Sequence, residues 1–163
     1  MTAVELHVVW ERYAEGRLVI ALNHFPSHFL TENSVRGVKV LPVDLADYLV
    51  RAGSKYFDFR SVDDLIDKGK RLLAPSNNPF AAMGKPYKEH LDALAALRNY
   101  VVHKSESARL AYKQHLAKVF AIKSAPSAGE FLDSIDHRKG SPCKGQKRIF
   151  TFFHYVSNAI SSF

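Results

Sequence analysis

The fold is decided by one stretch, Y-K-E-H-L-D-A-L-A-A-L-R-N-Y-V-V-H at residues 87–103. Within it, five residues recur at the spacings of three and four that are typical of one face of an amphipathic helix. This stripe consists of Leu91, Leu94, Ala95, Arg98 and Val102. Arg98 is the one permanently charged residue of that stripe. The stretch therefore predicts a helix that carries a cation on an otherwise apolar face.

Further helices are predicted on both sides of this stretch. Periodicity and capping residues place them at about residues 3–22, 42–52, 61–73, 105–120 and 150–163. Residues 27–42 leave two alternatives open, a short strand at 35–41 or an extended loop. No internal repeat and no second domain boundary stands out, so the pattern predicts an all-α fold with a single domain over residues 1–163.

The region after the motif helix is predicted to contain a basic loop and a terminal helix. Residues 138–148 are rich in Gly, Pro and Lys, which indicates a mobile basic loop. The apolar face expected for the helix at 150–163 consists of Phe153, Val156, Ile160 and Phe163.

Composition indicates a folded domain. The chain has 163 residues, of which 47% are hydrophobic and 12% aromatic, enough for a sizeable core. No apolar run approaches the roughly 20 residues of a membrane span, and the first residues lack the order of a signal peptide. We therefore expect a cytoplasmic protein with no membrane partner.

The sequence also excludes or disfavours several classes of functional site. Cys143 is the only cysteine, so an internal disulfide and a cysteine-based zinc site are excluded. The nearby pair His24 and His28 is interrupted by Pro26, and no metal and no cofactor is predicted. There is no Walker loop, no G-x-G-x-x-G run and no serine elbow, which leaves nucleotide hydrolysis by those routes unsupported.

The positive charge is concentrated after the motif. Residues 1–103 hold 13 basic and 12 acidic side chains, whereas residues 104–163 hold 10 and 4. This asymmetry favours an anionic partner such as RNA, although Lys and Arg also serve simply to solvate helical surfaces.

The hexapeptide Arg98-Asn99-Tyr100-Val101-Val102-His103 combines the residue types that handle a phosphodiester. Arg98 can hold the phosphate, and His103 can move a proton near neutral pH, with Asn99 orienting the ring or binding the phosphate. In RNA the 2′-hydroxyl would be the nucleophile, so the reaction needs no metal.

The spacing within the hexapeptide poses a geometric problem. Arg98 and His103 diverge by roughly 140° on an ideal helix. Two solutions stay open: the helix bends or ends near His103, or a second copy of the chain supplies the missing group. If Ser105 caps a new helix, the backbone N–H groups of that helix can also bind anions.

The motif R-N-Y-V-V-H, in a late helix followed directly by another helix, resembles the signature of the HEPN superfamily. The resemblance covers residues 3–120 loosely. It implies an antiparallel HEPN-like helical bundle of four to six helices. It also implies a metal-independent endoribonuclease of toxin or defence type with Arg98, Asn99 and His103 as catalytic residues.

The resemblance further implies partners. Many members of the superfamily form homodimers in which two motifs line a composite site, and a cognate antitoxin keeps the nuclease silent. One departure matters, because some toxins of this kind have a modifiable Tyr two residues after the His. This chain has Ser105 there, which does not support that mode of neutralisation.

Three cations after the motif are the candidates for further RNA contacts: Lys104, Arg109 and Lys113. The alternative for them is a solvated helix face. Tyr100 and Tyr112 can stack on bases or pack in the core. Two rival functions remain, a non-catalytic HEPN-like module that binds nucleotide or RNA, and a helical protein-interaction protein.

Overall fold

The fold is described by a computed structural model that covers residues 2–124 and 126–163. Those residues form eight α-helices in the order α1 (Ala3–His24), α2 (Ser27–Glu32), α3 (Val43–Val50), α4 (Val62–Leu72), α5 (Lys85–His103), α6 (Glu106–Phe120), α7 (Ala128–Asp133) and α8 (Arg148–Ser162). They contain no strand, only an isolated antiparallel bridge between Ile135 and Lys147. The all-α prediction is confirmed.

The number of helices differs from the four to six predicted. Six of the helices in the described residues have eight or more residues, and these match the predicted segments. The other two, α2 and α7, have six residues each. A helix that short completes fewer than two turns, so its periodicity is not visible in the sequence. Residues 35–41 form a loop with bends and no strand, which is the second of the two alternatives.

The chain forms two compact units. Unit 1 contains the residues up to Val9 together with Gly84–Ser162, and unit 2 contains Trp10–Met83 with Phe163. Helix α1 contributes to both units. The single HEPN-like domain over residues 1–163 stays a prediction. No helix in the described part of the chain has both the length and the apolar content needed to cross a bilayer.

The core of unit 1 is built on α5, which packs against α6, α7 and α8. Helix α5 buries Leu91, Leu94 and Leu97, three residues apart in turn. The neighbouring helices contribute a cluster of three rings, Phe120, Phe131 and Phe152, with centroids 4.9 to 6.2 Å apart. Burying such a side chain stabilises the fold by about 1.5–3 kcal/mol, so these contacts fix how the helices of unit 1 pack.

Helix α8 buries a different face from the predicted one. Its buried residues are Thr151, Phe152, Val156 and Ala159, and only Val156 was assigned to the apolar face correctly. The sequence F-T-F-F at 150–153 supports more than one stripe, because three of its four residues are aromatic. The contact of Phe152 with the rings of α6 and α7 selects the face that is buried.

The segment at 138–148 contains no helix before α8 begins, as predicted for a loop, and hydrogen bonds to Asp136 hold part of it. The fully buried carboxylate of Asp136 accepts hydrogen bonds from the side chains of Arg138, Ser141 and Thr151. The backbone N–H of Gly145 also donates to the Asp136 carbonyl at 2.8 Å. The Asp136 carboxylate therefore organises the polar loop around itself, and the mobility of this loop stays a prediction.

Unit 2 is held by its own core. The ring of Trp10 meets Phe80 edge to face at 5.8 Å between centroids, and both side chains are buried. The Asn78 amide donates to the Ile66 carbonyl at 3.0 Å and lies so close to Gly69 that a Cβ there would come within 2.5 Å of it. Glycine is therefore required at position 69 by close approach.

Candidate active site

Helix α5 ends at His103, which agrees with the alternative in which the helix bends or ends there. Lys104 adopts the left-handed conformation with φ 51°, and its N–H donates to the Tyr100 carbonyl at 3.2 Å. Ser105 then caps α6, since its Oγ accepts from the Ala108 N–H at 3.2 Å. Left-handed backbone costs a non-glycine residue about 1 kcal/mol, so the surrounding contacts hold the reversal in place.

The last turn of α5 is clear of the core. Leu97 is its last buried residue, so the predicted stripe does not continue through Val102, which is 48% exposed. Arg98 is half-buried, whereas Asn99 and His103 are exposed. The motif therefore lies on a surface that a large ligand can reach.

The side chains of the motif converge within one chain. Arg98 Nη1 lies 3.4 Å from His103 Nε2 and donates a hydrogen bond to Asn99 Oδ1 at 2.9 Å. The long Arg side chain spans the angle that separates the two positions on the helix. A second copy of the chain is therefore not needed to bring the guanidinium and the imidazole together.

The contact between Arg98 and His103 also defines what the imidazole offers. A guanidinium nitrogen only donates hydrogen bonds, so in this contact His103 Nε2 presents its lone pair. That is the neutral imidazole with the proton on Nδ1, an assignment that follows from the hydrogen-bond network. A neutral imidazole beside a permanent cation can accept a proton from a hydroxyl group whose phosphate the cation holds.

The inner part of the Arg98 side chain is packed against the protein. Its Nε is buried and has no hydrogen-bond partner within residues 2–124 and 126–163. Its Nη1, by contrast, contacts two exposed side chains. Packing of the stem restricts the conformations of the guanidinium, which lowers the entropy cost of holding a ligand.

The three predicted RNA contacts fall into two kinds. Arg109 donates from Nε and Nη2 to the Glu106 carboxylate at 2.8 and 2.6 Å. These bonds lower the pKa of Glu106 and raise that of Arg109. Lys104 and Lys113 are exposed, and neither has a carboxylate partner in the described part of the chain. Two free cations therefore remain, Lys104 at the reversal itself and Lys113 about two turns into α6.

Glu106 is the residue that our sequence analysis missed. Its spacing of three residues from Arg109 was a visible signal for an ion pair on one helix face. Glu106 also places a negative charge in the first turn of α6, where we expected backbone N–H groups to bind an anion. The local positive charge thus comes from Arg98, Lys104 and Lys113 more than from the helix end.

Tyr100 and Tyr112 pack against each other, which agrees with the alternative of packing and not with that of stacking on bases. Their rings are stacked with centroids 4.8 Å apart and 8° between the planes, and Tyr112 is buried. Burial raises the pKa of Tyr112 well above its usual value. The stack joins α5 to α6 behind the motif and so helps to fix the last turn of α5.

Residues 2–124 and 126–163 contain no group of three or more His, Cys, Asp or Glu side chains placed to hold a metal ion. Comparison of the chain with known protein families, curated proteins and solved structures finds no match.

Proposed function

We propose that this protein is a metal-independent endoribonuclease that cleaves RNA by attack of the 2′-hydroxyl on the adjacent phosphodiester. One observation supports this above all, the 3.4 Å contact between Arg98 Nη1 and His103 Nε2 on an exposed helix end. It brings together a phosphate-binding cation and a proton acceptor, which are the two groups that this reaction needs.

The proposed reaction assigns one task to each side chain. Arg98 holds the non-bridging oxygens and stabilises the charge that develops on them. His103 Nε2 takes the proton of the 2′-hydroxyl as that oxygen bonds to phosphorus, and the bond from phosphorus to the 5′-oxygen breaks. The proton then passes to the leaving 5′-oxygen, which gives a cyclic 2′,3′-phosphate and a 5′-hydroxyl. Asn99 orients Arg98 through their hydrogen bond of 2.9 Å.

The proposal includes the partners that the HEPN resemblance implies. A homodimer with a composite site is supported by three exposed apolar side chains on the helices of the motif, Val101, Val102 and Leu110. In such a dimer each chain would supply an Arg98 and His103 pair. The cognate antitoxin, the defence role and the cytoplasmic location rest on the sequence alone.

The test is RNA cleavage in EDTA by the parent protein and by Arg98→Ala and His103→Ala. We expect each variant to lose about 100-fold or more in rate, the range typical of a lost proton-transfer group. Arg36→Ala and His137→Ala are the matched controls, because both residues are exposed and lie outside the motif. A strand with 2′-deoxyribose at every position should resist cleavage.

Two results contradict the proposal. Equal cleavage by the parent and His103→Ala would show that the imidazole takes no part, and cleavage of the 2′-deoxy strand would exclude the 2′-hydroxyl as the nucleophile. RNA binding without cleavage by the parent would instead favour a non-catalytic binding module. That candidate is supported by the contacts of Arg98 Nη1, which is already occupied by Asn99 and His103.

A further inference from the structure

Unit 2 contains a groove that lies outside the candidate active site. It runs between the loop at residues 51–60 and helix α4, and it encloses a volume of about 400 Å³. Lys68 lines this groove and also lines a second hollow of about 180 Å³, next to Arg71. The two hollows therefore form one continuous surface, which we call the α4 groove.

Three of the four cations that line the α4 groove are unpaired, whereas Arg51 is paired with Glu15 and Asp47. Within the described residues, the side chains of Arg60, Lys68 and Arg71 have no carboxylate within 4.0 Å. Lys70 on the same helix is different, because its Nζ bonds to Asp67 at 2.8 Å. On helix α4, the neutralised Lys70 therefore lies outside the groove lining, whereas the unpaired Lys68 and Arg71 line it.

The groove also contains exposed aromatic rings. Tyr56 is 68% exposed, more than any other large apolar side chain in the described part of the chain. Phe57 is half-buried against the buried Phe59, with centroids 5.6 Å apart, and Lys68 Nζ lies 5.9 Å from the Phe57 ring. Lys55 Nζ lies 5.3 Å from the centroid of the Tyr56 ring. The half-buried Phe57 ring and the exposed Tyr56 ring together give flat surfaces on which bases can stack.

Unpaired cations next to exposed aromatic rings favour one kind of ligand. Lys and Arg side chains bind a phosphate backbone, and aromatic rings stack on unpaired bases, so the combination fits a single strand. A duplex hides the faces of its bases, and the side chains of Asp and Glu carry no aromatic ring that could stack on Tyr56. We propose that the α4 groove binds single-stranded nucleic acid through phosphates and base faces, with no requirement for a 2′-hydroxyl.

Two carboxylates in the groove sharpen this proposal. Asp64 Oδ2 accepts from the Arg60 N–H at 2.9 Å, so this carboxylate is engaged at the start of α4. Asp58 is exposed and lines the groove without such a bond. Asp58 must therefore repel a polyanion, and its neutralisation should strengthen binding.

Binding is measured with the full-length chain carrying His103→Ala, so that the probe stays intact. The probe is a fluorescein-labelled 12-nucleotide RNA of mixed, unstructured sequence, read by anisotropy at several salt concentrations. Tyr56→Ala should weaken binding by about 5-fold or more, since each stacked base contributes roughly that factor or more. Lys68→Gln should reduce the slope of log affinity against log salt by about 0.7.

Matched variants separate the groove from general surface charge. Lys70→Gln removes the same charge from the same helix, and we expect it to leave the salt slope unchanged. Asp58→Asn should increase the affinity. A DNA oligonucleotide of the same sequence should bind within a few-fold of the RNA, whereas a hairpin duplex should bind clearly less well.

Each of the following results overturns the proposal: no binding, no effect of Tyr56→Ala, equal effects of Lys68→Gln and Lys70→Gln, or weaker binding by Asp58→Asn. Displacement of the probe by poly-glutamate as effectively as by unlabelled RNA would identify an acidic protein segment instead. This assay measures binding and not cleavage. A negative result would therefore exclude nucleic-acid binding by the α4 groove without excluding the proposed ribonuclease activity, and loss of the ribonuclease proposal would leave the binding proposal intact.

Discussion

Unit 1 contains two Arg–His pairs with the same contact and opposite surroundings. Arg98 Nη1 lies 3.4 Å from His103 Nε2, and Arg138 Nη1 lies 3.4 Å from His90 Nε2. The first pair is at the exposed end of α5, whereas the second is inside the unit. Comparing them shows which features separate the pair that we propose to be catalytic from a pair that holds the fold together.

The internal pair is fully occupied. Arg138 donates from Nη2 to Asp136 at 2.6 Å and from Nη1 to the Val119 carbonyl at 2.6 Å. His90 Nδ1 donates to the Pro86 carbonyl at 2.8 Å, and its ring stacks on Tyr155 at 3.8 Å between centroids. Every strong hydrogen-bonding direction of this pair is therefore used to hold α5, α6 and the loop together.

Burial also sets the protonation states around the internal pair. It lowers the pKa of His90 to about 4, against a smaller opposing effect of the bond to Pro86. For Asp136 burial acts to raise the pKa, but the hydrogen bonds from Arg138 and Ser141 outweigh it and hold the pKa well below its usual range. A 3.4 Å contact thus indicates function only where a substrate can reach it and displace a weak partner.

The largest effect is expected at the anion of the internal pair. Asp136→Asn leaves Arg138 without its counter-charge, and breaking a buried pair costs about 3–5 kcal/mol, so we expect the free energy of unfolding to fall by about that amount. Urea denaturation measures it. Asp133→Asn is the matched control, since Asp133 is 74% exposed and its bond to Lys147 contributes less than about 1 kcal/mol. Equal losses in both variants would contradict this interpretation.

The next effect is a pH dependence from His90. Its pKa is about 4 in the folded protein and about 6.5 in the unfolded chain. Between these values only the unfolded chain binds the proton, so stability from His90 is complete above pH 6.5 and falls as the pH decreases towards 4. The loss is about 3 kcal/mol, measured by urea denaturation across that range.

Matched variants isolate this contribution. His90→Gln should lose most of the slope that the parent shows between pH 6.5 and 4, and part of the remainder comes from His115, whose pKa burial also lowers. His103→Gln should keep it, because it retains His90. A parent slope that persists in His90→Gln would assign the effect to other groups.

The smallest effect is expected at the exposed pair. His103→Ala should change the free energy of unfolding by less than about 0.5 kcal/mol, because an exposed side chain without buried contacts contributes little to folding. Thermal and urea unfolding of the variant beside the parent provide the measurement. A loss above 1 kcal/mol would make His103 a structural residue like His90, and the comparison of the two pairs would fail.

The sequence predicted the six longer helices and several of their ends. Ser61 and Ser105 cap α4 and α6 through bonds to residues three positions away, at Asp64 and Ala108. Such bonds depend only on neighbouring residues, which is why a local pattern reveals them. The same holds for the position of His103 at the end of α5.

The buried faces were predicted less well. The pattern placed Phe153 and Ile160 inside, whereas Phe152 and Ala159 are buried. The internal pair was not foreseen at all, because Arg138 and His90 are 48 positions apart. The α4 groove was also missed, although Lys55-Tyr56-Phe57 was a visible cluster of charge and rings.

The sequence by itself determined the helical periods, the caps and the residue types of the motif, because each depends on residues within one or two turns. Only the tertiary structure decided which histidines are buried, which arginines are neutralised and that Arg98 reaches His103 on an open surface. These outcomes depend on contacts between segments far apart in the chain and on the loss of water around them. The spacing of neighbouring residues in the sequence reveals neither the contacts nor the loss of water.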